Sequence, residues 1–460
     1  MSLTNSITSS DFSLDSPGPV ARRLAIGWLT LALSSLVIGG IFTILIVLSR
    51  TPWVQDFIPW VDFFHIALVV HVDMTVLVWF LSFAGVFWSI NSSEKSPALA
   101  GLAQILCFSG TIVIALSPFF GAGDPLMNNY VPVLQHPMFF VGLGLFGLGF
   151  SVLVLHGLMF SRPVGRFISS TGAQKFGLYT ALIIAFISIF SLLASWYGMP
   201  EFAQGQTFFE LLFWGSGHTI QFIHVQLMLV AWMWLATCSS SRLRLNPRLV
   251  LVLFALGLLP ALLTPLIYVV YEVGSAAHLL SFTSLMQFGG GLAVLPLALM
   301  VVIALIKSGR AHEDVRAERN ALVFSIILFG VGGIIGFMIQ GSNVTVPAHY
   351  HGSIVAVTLA YMGVTYHLLP VLGFKKPTGK MVSRQPIIYG VGQLMHVFGL
   401  AWSGGYGVQR KTAGSDQGLE GIQQIAGMGI MGLGGLIAII GGVLFLVIVI
   451  KAMWPQKVAI

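Results

Sequence analysis

The sequence predicts an all-α membrane protein, a bundle of twelve transmembrane helices. Three observations lead there. The chain is 56% hydrophobic and only 8% charged, with a mean hydropathy of +0.92. Soluble domains carry about 25% charged residues, so this balance excludes them. Second, the apolar runs reach the length of about 20 residues that a bilayer needs. Lipid leaves no partner for free backbone groups, and the alternation of a membrane barrel is absent, so the spans are helical. Third, the basic residues are sorted to one side.

Twelve spans follow in order: residues 24–48, 62–89, 97–119, 137–161, 174–197, 208–237, 247–271, 277–306, 321–340, 350–373, 386–405 and 424–450. Residues 1–23, polar and Ser-rich at the start and without a cleavable signal pattern, read as a disordered cytoplasmic tail. Residues 24–460 form one transmembrane domain with no linker or soluble insertion. With the N-terminus inside, 19 Lys and Arg residues fall on the inner side and three, Arg50, Arg410 and Lys411, on the outer side. That is the positive-inside asymmetry of a multi-pass protein with both termini cytoplasmic. A bacterial inner membrane suits the short loops. The outer Arg410-Lys411 pair breaks the rule and needs a reason.

The sequence pI near 9.5 comes from these topogenic loops and does not point to nucleic acid. Cys107 and Cys238 lie in or near apolar runs and make neither a disulfide framework nor a CxxC site. No Cys-x-x-Cys-His haem-attachment site and no cysteine-based copper cluster occurs, so the chain carries no electron-donor module of its own.

The chemistry is concentrated in the histidines. His349 and His351 open the tenth span. Two residues apart on a helix, they point about 200° apart. They cannot share one small ion, but they can serve two partners on opposite sides of the helix. Imidazole is a common axial ligand of haem iron, and a helix giving one imidazole to each of two haems has this form. His71 in the second span, His218 in the sixth and His278 at the start of the eighth lie at similar depth in the outer half. Unpaired buried imidazole is costly, so shared depth marks a site. His65 and His136 fit a solvated interface better, and His224 lies near the outer group. His156, His312, His367 and His396 are read as structural. Asp73, Glu210 and Glu272 also lie toward the outer side, while the inner half of every span lacks Asp and Glu. Protons for any reaction are therefore expected from outside.

These residues resemble the catalytic subunit of the haem–copper oxidase superfamily, which includes oxygen reductases and nitric oxide reductases. Residues 65–90 resemble the segment that supplies one low-spin haem ligand, at the position of His71. Residues 129–137, with Asn129, Tyr130 and His136, resemble the family's approach to its fourth span. The run Trp214 to His218 resembles the motif that gives the first histidine of the non-haem metal. In residues 347–370 the family's pattern makes His349 the ligand of the high-spin haem and His351 the second low-spin ligand, opposite His71. The stretch with Arg410 and Lys411 resembles a basic pair that binds haem propionates, which would account for cations on the outer side. The resemblance implies a twelve-helix bundle of the haem–copper oxidase subunit I type.

The sequence departs from the pattern twice. One usual position of the family's tyrosine, four residues after His218, is Phe222, so neither that tyrosine nor the glutamate of some nitric oxide reductases is present. Tyr268 or Tyr271 could replace it from another helix. The family's adjacent histidine pair falls on Val269 and Val270 when aligned on Thr264-Pro265, and nearer Tyr271 and Glu272 when aligned on Pro296. His218 with Glu272 and His278 would make a mixed N/O site, better suited to iron than to copper(I). Alternatively Glu272 simply lies in an outer loop.

The expected activity is reduction of nitric oxide to nitrous oxide at a high-spin haem (His349) beside a non-haem metal, iron or copper, with a low-spin haem (His71, His351) relaying electrons. Catalytic roles fall to His349, His218 and Glu272. The donor would be a membrane-anchored cytochrome c or cupredoxin subunit on the outer side. Two alternatives stay open: an oxygen reductase with an altered metal site, and a dihaem carrier, sensor or assembly paralogue without the second metal.

Overall fold

A computed structural model describes residues 11–48, 63–121, 123–239, 245–411 and 419–454. The cations Arg50, Arg242, Arg244 and Lys457 of the charge count lie outside these residues.

Among the described residues twelve long helices run in series. They are α1 (Pro19–Leu48), α2 (Phe63–Ile90), α3 (Pro97–Leu116), α4 (Pro137–Phe160), α5 (Ser170–Tyr197), α6 (Gly205–Ser239), α7 (Pro247–Val270), α8 (Ala276–Ser308), α9 (Arg316–Phe337), α10 (Thr345–Val371), α11 (Lys380–Gly405) and α12 (Ile422–Met453). Among the described residues eleven are long and apolar enough to cross a membrane. The twelfth, α11, has 26 residues, but Lys380, Arg384, Gln385, Gln393 and His396 dilute its apolar run. It holds its place by close packing: a Cβ on Gly392 or Gly399 would meet the backbone of α12 at 2.4 Å. Such small-residue contacts bring membrane helices together.

The starts of the helices are written locally. Proline at the first helical position costs no hydrogen bond, and Pro97, Pro137 and Pro247 stand there. Side-chain caps follow the usual pattern. Ser169 accepts from Gly172 N at 3.0 Å and Asn246 from Arg248 N at 2.9 Å. At the start of α8, Ser275 accepts from His278 N at 3.2 Å. Consecutive helices pack antiparallel, most extensively α11 on α12, α9 on α10, α3 on α4 and α5 on α6. A short antiparallel pair, β1 (Pro125–Leu126) and β2 (Val133–Leu134), closes the outer loop before α4.

Three helices form the centre. In their most apolar stretches α6 is 83% buried, α10 78% and α2 67%, against 28% for α12 and 22% for α8. These three carry His218, the His349/His351 pair and His71. The most buried helices are thus the ones with the polar side chains, the reverse of what burial alone would select.

Several helices begin a few residues before the expected spans, and two of these differences carry structure of their own. The first helix begins at Pro19, and residues 11–18 are tied to the bundle. Phe12 is fully buried and its N–H donates to Thr237 at 3.2 Å, while Gln174 donates to its carbonyl at 3.0 Å. Asp15 pairs with Lys175 at 2.8 Å and lies 3.9 Å from Arg162. One aromatic anchor in a polar stretch gives no periodicity to read. At the inner end of α9 the helix starts five residues before the expected 321, and takes in Glu318, an acid buried to 4% exposure. The inner end therefore does hold a buried acid.

The Lys175 hydrogen bond is the largest cause that holds the Asp15 carboxyl below its ordinary range, with Arg162 adding to it against a smaller opposing effect of burial. A depressed carboxylate pKa contributes stability above the unfolded pKa, lost as pH falls through the folded one. The N-terminal segment should release in acid below the usual carboxylate range. Limited proteolysis near Asp15 should therefore accelerate in acid in the wild type. In Asp15→Asn it should already be fast at neutral pH, with little further dependence on pH.

Candidate functional site: a histidine-lined centre in the outer half of the bundle

Each candidate haem ligand is oriented through its Nδ1. The His71 Nδ1 lies 2.9 Å from Gly39 O on α1 and 3.0 Å from Thr43 Oγ1. His349 Nδ1 lies 2.8 Å from Gly332 O on α9, and His351 Nδ1 lies 2.9 Å from Pro347 O, one turn back on its own helix. A ring whose Nδ1–H donates to a carbonyl has the tautomer that leaves the Nε2 lone pair free for a metal. All three rings are only half-buried although they stand within spans. His71 and His396 are both within electrostatic range of the His351 ring. The α10 spacing thus sends His351 toward α2 and His349 toward α9.

Glycines let α9 approach α10 closely enough for this. A Cβ on Gly332 would sit 2.6 Å from Ser353 N, and one on Gly336 only 2.7 Å from His349 Nδ1. The two are one turn apart on α9 and form a seat for the His349 ring. Overpacking such a seat costs about 1–3 kcal/mol. Gly336→Val should therefore displace His349 and lower the carbon monoxide-binding fraction of the purified protein by more than half, without loss of the low-spin spectrum. An unchanged carbon monoxide difference spectrum would show that Gly336 does not support this ring.

His218 sits in a second group. Its Nδ1 is 2.7 Å from Trp214 O, one turn back, and Tyr130 Oη lies 2.9 Å from Nε2. With Nδ1–H on the carbonyl, the phenol donates to the Nε2 lone pair. Tyr130 reaches in from the loop that holds β1 and β2. Glu210 on α6 fastens that loop, accepting from Asn129 N at 3.0 Å and from Asn129 Nδ2. Gly217 makes room for Tyr130, since a Cβ there would meet its ring at 2.1 Å. Gly215 likewise makes room for the Tyr268 hydroxyl, which hydrogen-bonds Ser195 at 2.8 Å. The glycines of the Trp214–His218 run are therefore there to admit two phenols. Tyr268 packs edge-on to His278 at 5.2 Å, and Phe282 touches both His278 (5.2 Å) and His218 (5.7 Å). His278 is fully buried, and neither ring nitrogen has a hydrogen-bond partner.

The third metal fares differently from the haems. His218 and His278 share one pocket, but Glu272 is exposed in the turn between α7 and α8 and is not brought to them. Val269 is 81% and Val270 65% exposed, so both alignment positions for the family's histidine pair face outward. Among the described residues no three His, Cys, Asp or Glu side chains converge as a metal site. The haem ligands fit their group; the ligand set expected for a non-haem metal does not assemble.

Arg410 and Lys411 lie beside the start of α10. Their segment is fixed by Val344 N donating to Val408 O at 2.9 Å and by a bridge between Asn343 and Gln409. Arg410 Nε donates to Ser342 Oγ at 3.1 Å and Lys411 Nζ to Met127 O. Lys411 adopts φ +62°, a left-handed conformation costly for a side chain with a Cβ. Burial is the largest cause that pushes its ammonium pKa down; Arg410 adds to this and Glu210 opposes it.

Three side chains gain a place at the site only in the structure, His396 among them although the sequence reads it as structural. His396 packs against His351 with ring centroids 4.8 Å apart and the planes tilted by 46°, its Nδ1 anchored at 3.0 Å to Met431 O. Tyr130 stood in the sequence as part of a loop, with no signal that its hydroxyl meets His218. Asp73 is buried with both carboxylate oxygens unpartnered, in a π-helical turn of α2 (Asp73–Val78) directly after His71. π-Turns concentrate at functional sites, and nothing in the periodicity of residues 65–90 reveals this one.

Comparison with known proteins agrees with this geometry. Residues 23–454 match the family model described as Cytochrome C and Quinol oxidase polypeptide I. An uncharacterized protein of Rickettsia prowazekii (strain Madrid E) is 29% identical, covering 95% of this chain and 97% of that one. An uncharacterized protein of Aquifex aeolicus (strain VF5) is 32% identical, covering 77% of this chain and 86% of the other. Among solved structures, a heme-copper terminal oxidase dimer studied by cryo-EM superposes with a TM-score of 0.73 at 16% identity, covering 96% of this chain and 85% of that one; it shares the fold. The twelve-helix bundle, the histidines on its central helices and the family match over nearly the whole length together place this chain in the Cytochrome C and Quinol oxidase polypeptide I family, within the haem–copper oxidase superfamily.

Proposed function

We propose that the protein is a dihaem oxidoreductase of the bacterial inner membrane that reduces nitric oxide, with electrons from a separate donor subunit on the outer side. The observation that carries this is the set of three imidazoles on the two central helices α2 and α10, each with Nδ1 on a backbone carbonyl or hydroxyl and Nε2 left as the coordinating nitrogen. His71 and His351 would hold a low-spin haem and His349 a high-spin one, with Arg410 and Lys411 beside the propionates. Bound there, the haems supply one-electron transfer and a gas-binding iron.

The chain's own residues do the rest. Gly332 O and Gly336 fix the His349 ring. Phe222, at the position where the resemblance would place a phenol, is buried. The reaction, two nitric oxide molecules with two electrons and two protons giving nitrous oxide and water, draws its protons from the outer side, where Glu210 and Glu272 stand. A non-haem metal on His218, Glu272 and His278 has no support from the geometry, since among the described residues no three His, Cys, Asp or Glu side chains converge.

The test is anaerobic nitric oxide consumption by the purified protein with a reduced electron donor, with nitrous oxide counted by gas chromatography. One nitrous oxide per two nitric oxides is expected. A protein loaded with both haems that consumes oxygen but not nitric oxide is an oxygen reductase. One that consumes neither is an electron carrier or gas sensor, a reading favoured by the outward-facing Val269 and Val270.

A further inference from the structure

A groove away from the histidines opens at the basic end of the bundle. It measures about 700 Å³ and lies between the end of α8 and the start of α9. One wall is apolar, with Leu305, Ile306, Val323 and Ile326. The mouth carries Arg310, Arg316 and Arg319.

Arg319 is the informative residue. It is only 8% exposed. Its Nη2 donates to Ser308 Oγ at 2.7 Å and to Gly309 O at 2.8 Å, which fixes the guanidinium plane. Its Nη1 is buried and has no hydrogen-bond partner. A buried charged donor left unmade costs more than a neutral one, so an acceptor is expected at this position. Protein carboxylates supply little. Glu313 lies 3.4 Å from Arg316 Nη1, but both side chains are largely exposed, and Asp314 lies 3.4 Å from His312. The mouth therefore keeps a net positive charge, fixed by Arg319 and reinforced by Arg310.

Guanidinium suits phosphate, because its planar fork matches two phosphate oxygens. The apolar wall excludes a purely polar anion as the natural occupant. It continues along α8 and α9 through Ile303, Ile306 and Ile327, which are exposed on the face that would meet acyl chains. Basic pockets between transmembrane helices on the cytoplasmic side take lipid headgroups by this chemistry.

We propose that this groove binds one anionic phospholipid, its phosphate held by Arg319 with Arg310 and Arg316, and an acyl chain lying against Leu305, Val323 and Ile326. The site is independent of the haem centre and of the gas that is reduced there.

The full-length protein, purified in mild detergent with its haems, is titrated with dioleoylphosphatidylglycerol and, separately, with dioleoylphosphatidylcholine, and bound lipid is counted by native mass spectrometry. One phosphatidylglycerol should bind at least tenfold more tightly than phosphatidylcholine. Arg319→Gln should weaken phosphatidylglycerol binding by about tenfold, the worth of a charged hydrogen bond, and leave phosphatidylcholine unchanged. Should Arg319→Gln fail to fold, the exposed pair Arg310→Gln and Arg316→Gln tests the same headgroup contact, and Ile327→Trp tests the acyl wall. Equal affinity for the two lipids, or affinity unmoved by these variants, would overturn the proposal. So would displacement of the lipid by inorganic phosphate at matched concentration, which would mark a plain anion site, or by a quinol, which would mark a redox substrate site.

Discussion

His351→Ala is expected to cut the haem content of the purified protein from two per chain to one and to erase the low-spin signal. His351 and His71 come from α10 and α2, helices joined across the centre of the bundle. A group bound at a thousand times its dissociation constant contributes about 4 kcal/mol to the folded state. Losing the low-spin haem should therefore lower thermal stability as well as remove the spectrum. The neighbouring His396 gives the result a sharper form. Its Nδ1 is held by Met431 O and its ring packs against His351. If His351→Ala kept a bis-imidazole low-spin spectrum, and His351→Ala with His396→Ala lost it, the ligand would be His396 and the assignment on α10 would be wrong. His71→Ala should behave as His351→Ala does.

His349→Ala should do the opposite. The low-spin spectrum should remain, carbon monoxide binding should disappear, and turnover should fall at least a thousandfold, toward zero, since an axial ligand cannot be supplied by alanine. The prediction is specific because His349 and His351 leave α10 in different directions, one ring anchored on α9 and the other on its own helix. An unaltered high-spin haem that still bound carbon monoxide in His349→Ala would mean that another residue is the axial ligand.

Much of this was legible in the sequence, for identifiable reasons. All twelve spans were read from the sequence because lipid-facing helices carry long apolar runs. Only α11 is blurred, because its polar residues are sheltered by glycine contacts with α12 that hydropathy cannot register. His71, His349 and His351 stood out by their depth, and the pair on α10 also by its His-x-His spacing; their separate haem roles were what the resemblance implied. The structure adds the carbonyl that orients each ring. What the sequence hides is contact between distant segments. Tyr130 and His218 are 88 residues apart, and His351 and His396 are joined only by the fold. Glu272 shows the converse. Its place in the chain suggested a ligand, but the side chain is exposed in the turn between α7 and α8.

The measurement that tests the account most directly is the ratio of haem, total iron and copper per chain in the purified protein, from pyridine haemochrome and elemental analysis. Two haems, two irons and no copper are predicted, because three imidazoles are set for haem and no third-metal ligand set converges among the described residues. One copper, or a third iron, per two haems would contradict this and place a metal beside His218. A single haem would contradict the separate roles of His349 and His351.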